Sequence, residues 1–108
     1  MKFHRQPDRN TKEIAAALRE AGAVVEYLEN SRKGGVPDLM VGVAGITYLI
    51  EVKAPDAKLR AREKGGRTLL SESQEEWADK WYGGPLVVVQ SIEAAMAAVG
   101  LTQPHLDV

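Results

Sequence analysis

Two acids and a lysine, placed close together near the middle of the chain, are the residues best suited to act together chemically. Asp38 precedes an apolar run, and after a Gly-containing turn Glu51 lies two residues before Lys53. Side chains alternate between the two faces of a strand, so Glu51 and Lys53 share a face and Val52 points away from it. A carboxylate and an ammonium in an apolar strand are costly to desolvate, and such groups are usually found where they bind a partner or a ligand. We therefore expect the functional site within residues 34–53.

The chemistry that this set supports is metal-assisted hydrolysis of a phosphodiester. Hard divalent cations such as Mg²⁺ take oxygen ligands, typically one or two carboxylates with waters and substrate phosphates. Asp38 and Glu51 could converge on one ion, and the backbone carbonyl of Val52 is a natural further ligand. Lys53 could orient or deprotonate the attacking water. The metal would stabilise charge on the phosphoryl oxygens and lower the pKa of bound water.

Each part of this pattern also has an ordinary structural explanation. Glu51 and Lys53 match a salt-bridged pair on a solvated sheet face, which is common on strands. Pro37-Asp38 by itself is a turn signal. The combination of the two is what favours a site.

The elements that would position these residues follow from periodicity and caps. The sequence predicts a helix from Asn10 or Thr11 to Gly22, then a strand over residues 23–29. Strands over 39–43 and 46–53 form a hairpin through Ala44-Gly45. Residues 54–71 read as a long polar loop with one helical turn near Leu59.

The second half of the chain predicts a crossover. Ser71 caps a helix that runs to about Tyr82, and residues 86–90 form a branched strand expected to be buried on both faces. A last helix is capped by Ser91 and ends at Gly100. A helix between the hairpin and that strand indicates a parallel position in the same sheet, and hence an α/β layered domain.

Composition sets the remaining limits. The 108 residues fit one domain, with a polar basic arm at 1–10 and an uninformative tail at 101–108. There are no cysteines, which excludes disulfide and thiolate chemistry, and the net charge of −1 carries no strong signal for a polyanionic partner. Apolar runs are too short to span a bilayer, and the start lacks the apolar core of a signal peptide. We therefore expect a cytoplasmic protein.

Three motifs, taken together, resemble the VRR-NUC group of the PD-(D/E)XK nuclease superfamily, from about residue 13 to residue 93. They are Gly35-Val-Pro-Asp38, Ile50-Glu51-Val-Lys53-Ala-Pro, and Leu70-Ser71-x-x-Gln74-x-x-Trp77. The resemblance implies a restriction-endonuclease-like αβββαβ core, an α/β mixed sheet flanked by helices. It also implies a metal-dependent endodeoxyribonuclease.

The same resemblance implies roles for single residues. Asp38 and Glu51 would ligate Mg²⁺ or Mn²⁺, and Lys53 would position or activate the water. Gln74 would orient Lys53 or touch the scissile phosphate. Glu13 falls where the family has an acid that sometimes adds to the metal site, but Asn10-x-x-Glu13 also has capping-box spacing. Both interpretations of Glu13 stay open.

One departure from the family pattern concerns the segment after the lysine. In typical members it runs almost directly into the next helix, whereas here residues 55–69 are longer and basic. This loop would either grip the phosphate backbone electrostatically or be solvated. Its candidate DNA-binding residues are Lys58, Arg60, Arg62, Lys64 and Arg67.

The expected partners are DNA and a second copy of the chain. Family analogy favours structure-selective cleavage of branched, flapped or junction DNA in phage or bacterial replication and repair, with a symmetric homodimer across the junction. Trp77 and Trp81, four apart on a helix, are more typical of a core or dimer interface than of base stacking. The alternative function is a non-catalytic nucleic-acid-binding or assembly module on the same fold.

Overall fold

Three helices and six strands make up the part of the chain that the computed structural model describes, residues 8–28 and 34–101. Other residues of the predicted arm and tail, with His4, His105 and positions 29–33, lie outside these ranges. In chain order the elements are α1 (Arg9–Glu20), β1 (Val24–Tyr27), β2 (Leu39–Val43), β3 (Ile46–Val52), β4 (Arg60–Ala61), β5 (Arg67–Thr68), α2 (Glu72–Lys80), β6 (Leu86–Val89) and α3 (Ile92–Ala98).

A four-stranded mixed sheet has the strand order β1-β2-β3-β6. β1, β2 and β3 are antiparallel, whereas β6 runs parallel to β3. The predicted hairpin and the predicted crossover to a parallel strand are therefore both confirmed. The crossover contains a separate two-stranded hairpin, β4–β5, and then α2. None of the helices in the described ranges is long and apolar enough to cross a membrane.

The hydrophobic core lies between one face of the sheet and the helices α1 and α3. Alternation along the strands sends Val25, Val41 and Ile50 into this core. α1 contributes Ile14 and Leu18, both fully buried. The opposite face of the sheet is therefore the one that carries Glu51, and α2 reaches Glu51 through the side chain of Gln74.

The N-cap of α1 lies two or three residues earlier than predicted, so the expected cap at Asn10 or Thr11 is wrong. Asp8 is the N-cap, and its carboxylate accepts from the backbone N–H of Thr11 at 2.9 Å. Asn10 lies inside the helix, and its side-chain amide donates to the carbonyl oxygens of Lys53 at 2.8 Å and Gln90 at 3.2 Å. A better-placed acceptor upstream shifted the start of the helix.

Residues 54–70 are not the predicted loop with a helical turn near Leu59. They contain β4 and β5, which pair antiparallel with Arg60 opposite Thr68. Gly65 and Gly66, with φ of +103° and +78°, reverse the chain between them. Two consecutive glycines in the left-handed region permit a tight reversal. The polar composition of the segment gave no strand pattern, so the sequence did not predict this hairpin.

β6 and α2 differ in smaller ways from expectation. Of the four residues of β6 only Val89 is buried, because β6 is an edge strand rather than one covered on both faces. α2 ends at Lys80, two residues before the predicted end at Tyr82.

Candidate active site

The two acids meet because strand register places them opposite each other. β2 and β3 pair Leu39 with Ile50, and continuing that register by one step pairs Asp38 with Glu51. Cross-strand partners project from the same face, typically about 4.5–5.5 Å apart at Cβ. The backbone N–H of Val52 donates to Oδ2 of Asp38 at 2.8 Å and holds this carboxylate at the strand end.

Burial disfavours ionisation of the Asp38 and Glu51 carboxyl groups. Only 5% of Glu51 is exposed, and burial, with the adjacent charge of Asp38, raises its pKa to about 7 against the attraction of Lys53. Burial also raises the pKa of Asp38, opposed by the Val52 N–H and reinforced by the carboxylate of Asp8. The fold therefore gathers negative charge that a single lysine does not neutralise, which is the electrostatic condition for holding a cation.

Gln74 joins the lysine to the acid. Its Oε1 accepts from Nζ of Lys53 at 2.7 Å, and its Nε2 donates to Oε2 of Glu51 at 2.8 Å. Lys53 Nζ also lies 3.5 Å from Oε2 of Glu51, with 20% of the lysine side chain exposed. The structure thus brings Asp38, Glu51, Lys53 and Gln74 into one cluster.

A capping box places Gln74 there. The Ser71 hydroxyl accepts from the backbone N–H of Gln74, and Oε1 of Gln74 accepts from the backbone N–H of Ser71 at 2.8 Å. This reciprocal arrangement satisfies two of the otherwise unpaired donors at the start of a helix. The Ser-x-x-Gln spacing therefore sets both the start of α2 and the direction of the Gln74 side chain.

The carbonyl of Val52 lies where the strand ladder runs out. The same register brings Val52 opposite Pro37, which has no N–H to donate. The Val52 N–H on that side is taken by Asp38 rather than by a strand. This position suits the predicted role of the carbonyl as a cation ligand.

Gly35 permits the segment before Asp38 to pack on α2, a contact that the sequence reasoning did not foresee. Its φ is +95°, and a Cβ there would collide with the carbonyl of Ser73 and lie 3.0 Å from Cβ of Trp77. Only glycine combines this backbone conformation with so close an approach. The glycine of the Gly-Val-Pro-Asp motif thus sets the distance between the strand end and α2.

Glu13 is not brought to the acid pair. It forms an ion pair with Arg9 at 3.0 Å, with 51% of its side chain exposed, and the capping box predicted with Asn10 does not form. Across residues 8–28 and 34–101, no three His, Cys, Asp or Glu side chains gather as a metal cluster. Two carboxylates and one backbone carbonyl remain, a donor set that fits Mg²⁺ or Mn²⁺ completed by waters and substrate oxygens.

The basic residues of β4–β5 divide into two groups. Arg60 and Arg62 lie 2.8 Å and 3.5 Å from the carboxylate of Glu75, and Lys64 lies 2.8 Å from that of Asp79. Three of the five predicted phosphate-binding residues are therefore paired with α2. Lys58 and Arg67 are exposed and form no ion pair within the described part of the chain.

Trp77 and Trp81 stack on each other, with ring centroids 5.3 Å apart and planes at 16°. Neither belongs to the hydrophobic core, and Trp81 is 39% exposed. An open groove of about 380 Å³ runs beside them and is lined by Gly34, Ser73, Glu76, Trp77, Lys80 and Trp81.

The fold is a four-stranded mixed sheet flanked by helices, with the core order αβββαβ, and an acid pair and a lysine lie at the end of its central strands. The chain has the fold of a VRR_NUC domain. A solved structure described as "VRR_NUC domain" superposes with a TM-score of 0.62 at 21% identity, over 85% of this chain and 91% of that one. No protein-family model matches the sequence, and no curated protein is significantly similar to it.

Proposed function

We propose that this chain is an Mg²⁺- or Mn²⁺-dependent endodeoxyribonuclease of the VRR-NUC family. The observation that carries the proposal is the hydrogen-bonded set in which Gln74 bridges Lys53 and Glu51 while Asp38 lies directly across the strand pair. The VRR_NUC fold supports it independently of these side chains.

The residues divide the work according to their chemistry. Asp38, Glu51 and the Val52 carbonyl would hold the ion, which when bound supplies Lewis-acid stabilisation of the phosphoryl oxygens and a more acidic water. Lys53 would orient the attacking water by donating a hydrogen bond to its oxygen, and only the neutral amine form of Lys53 could take the water's proton. Gln74 holds the Lys53 ammonium and the Glu51 carboxylate in fixed orientations before the reaction. The reaction therefore does not have to pay the free-energy cost of orienting them.

We extend the proposal to branched, flapped or junction DNA, cut by a homodimer in phage or bacterial replication and repair. This part rests on likeness to the family. A symmetric pair of subunits would place two sites across a junction.

The test is a cleavage assay with labelled linear, flapped and four-way DNA and a matched RNA, each with Mg²⁺, Mn²⁺ or EDTA. We expect metal-dependent cutting of DNA, strongest on a branched substrate, with loss by at least a hundredfold in Lys53→Ala. Lys12→Ala, at an exposed position of α1, is the matched control and should cut normally. DNA binding without cutting in any metal would instead support the non-catalytic module.

A further inference from the structure

α2 carries Gln74, yet core packing does not hold it in place. None of its nine residues is buried, and none belongs to the hydrophobic core cluster of the described chain. Helix position in most domains is decided by the burial of an apolar face. The position of α2, and with it the aim of Gln74, must therefore depend more heavily on polar contacts.

The β4–β5 hairpin supplies such contacts at the residue that leads into the helix. Leu70 precedes the N-cap Ser71, and its N–H donates to Oγ1 of Thr68 on β5 at 3.1 Å. Its carbonyl accepts from Nε of Arg60, the β4 partner of Thr68, at 2.6 Å. Both backbone polar groups of Leu70 are thus hydrogen-bonded to side chains of the hairpin.

Arg60 also forms an ion pair with a residue in the first turn of α2. Its Nη2 donates to Oε2 of Glu75 at 2.8 Å, and Glu75 in turn donates its backbone N–H to the Ser71 carbonyl at 2.9 Å. The pair is partly withdrawn from water, with 36% of the Arg60 side chain and 16% of the Glu75 side chain exposed. Solvent screens such a pair less than one on an open surface.

These contacts bracket Gln74 in the chain. Leu70 and Ser71 lie on one side of it and Glu75 on the other, and one guanidinium reaches both sides through two different nitrogens. The planar fork of arginine suits this double attachment better than a lysine ammonium does.

We propose that Arg60 is a positioning residue for the active site, acting through Leu70 and Glu75 to hold α2 where Gln74 bridges Lys53 and Glu51. The inference rests on the proposed function, which gives that bridge its purpose. The proposal also gives residues 55–69, the long segment after Lys53, a role other than binding phosphate. Arg60 steadies the cap of α2, and through it the site.

The first test examines the metal-free protein by NMR, following the side-chain amide of Gln74. In the native protein this amide should be shifted from the free-glutamine position and protected from exchange, because it donates to buried Glu51. Arg60→Ala should move it toward the free position and raise its exchange rate about tenfold. Lys64→Ala, which removes another hairpin–α2 ion pair at an exposed position, should leave it unchanged. An unchanged Gln74 amide in Arg60→Ala overturns the proposal.

The second test measures Mn²⁺ affinity by calorimetry in a double-mutant cycle. Arg60→Ala should weaken Mn²⁺ binding about tenfold. This is the low end of the loss in affinity seen when a residue that supports the metal ligands is removed. In a Gln74→Ala background the same change should have no further effect, because Arg60 acts through Gln74. Equal losses in both backgrounds would contradict the proposed route.

A third variant protects these tests against simple misfolding. Glu75→Gln removes the charge that Arg60 grips but keeps a hydrogen-bond acceptor, so it should show a smaller change in the same direction. Failure of the native protein to bind Mn²⁺ would count against the proposed nuclease function, whereas the Gln74 amide decides the role of Arg60 without any metal. If neither Arg60→Ala nor Glu75→Gln changes that amide, the proposed positioning role of Arg60 is rejected.

Discussion

Gln74 donates a 2.8 Å hydrogen bond from Nε2 to Oε2 of Glu51 and so connects a helix cap to a buried acid pair. The other end of the same amide, Oε1, accepts from the Ser71 N–H and from Nζ of Lys53. One side chain therefore completes the capping box and orders the site. Forming the cap of α2 and ordering the carboxylate–lysine set are one event in this fold.

The first prediction concerns Glu51 as a metal ligand rather than a structural ion pair. Glu51→Gln should lower cleavage by at least a hundredfold. At pH 5, where Glu51 is mostly protonated, it should leave the free energy of unfolding within about 1 kcal/mol of the native value, since the amide keeps most of the packing. Cleavage assays and urea unfolding in EDTA measure the two effects. Glu20→Gln, exposed at the end of α1, is the control. A large loss of stability with cleavage retained would favour the salt-bridge interpretation.

The second prediction is the pH dependence of stability without metal. The folded pKa of Glu51 is raised to about 7 from an ordinary value of 4.5, so the folded state binds the proton more tightly. The resulting stability is fully present below pH 4.5 and is lost as pH rises through about 7. We expect unfolding at pH 8 to require on the order of 1–3 kcal/mol less than at pH 5.

Urea unfolding at both pH values in EDTA measures this difference. Glu51→Gln should flatten it, and because the two proteins differ at position 51 alone, the difference between their pH dependences reports on Glu51. Equal pH dependence in the two proteins, or a native protein more stable at pH 8, would contradict the expected sign.

The third prediction is stabilisation by the metal. Mn²⁺ at a hundred times its dissociation constant should raise the free energy of unfolding by about 2.7 kcal/mol in the native protein. Asp38→Asn keeps an oxygen acceptor for the Val52 N–H but lacks the charge, so most of this gain should vanish. Thermal unfolding with and without EDTA measures it, and an equal shift in Asp38→Asn would place the ion elsewhere.

The fourth prediction follows from the two groups of basic residues. Replacing Lys58 and Arg67 together by alanine should reduce the salt slope of DNA binding by about two, since each would neutralise one phosphate. Lys64→Ala should reduce it by less than one, because Lys64 already pairs with Asp79. Binding titrations at several salt concentrations in EDTA measure the slopes. An unchanged slope in the double variant would make the hairpin a solvated element without DNA contacts.

The fifth prediction separates crowding from backbone strain at Gly35. Gly35→Ala should destabilise the protein by more than Gly22→Ala and weaken Mn²⁺ binding, because a Cβ at Gly35 pushes α2 away. Gly22 also has positive φ, +106°, but has open space around it, so its substitution carries only the conformational cost, about 1–2 kcal/mol. Urea unfolding and calorimetry compare the two. Equal effects on metal binding would remove Gly35 from the positioning of α2.

The sequence by itself determined the frame of the site because that frame is local. A two-residue turn defines the register of the hairpin, and the register alone puts Asp38 opposite Glu51. The Ser71–Gln74 spacing is a local rule too, satisfied within one turn of helix. Both could be read from residues close together in the chain.

Only the tertiary structure decided what surrounds that frame. The direction of Glu13, the contact of Gly35 with α2 and the capture of Arg60 by Leu70 and Glu75 depend on which elements meet in space. Sequence periodicity cannot predict these contacts, because they join separate segments of the chain and no repeating pattern links them. A basic segment that looks available for phosphate in the sequence therefore has three of its charges satisfied by α2 in the folded chain.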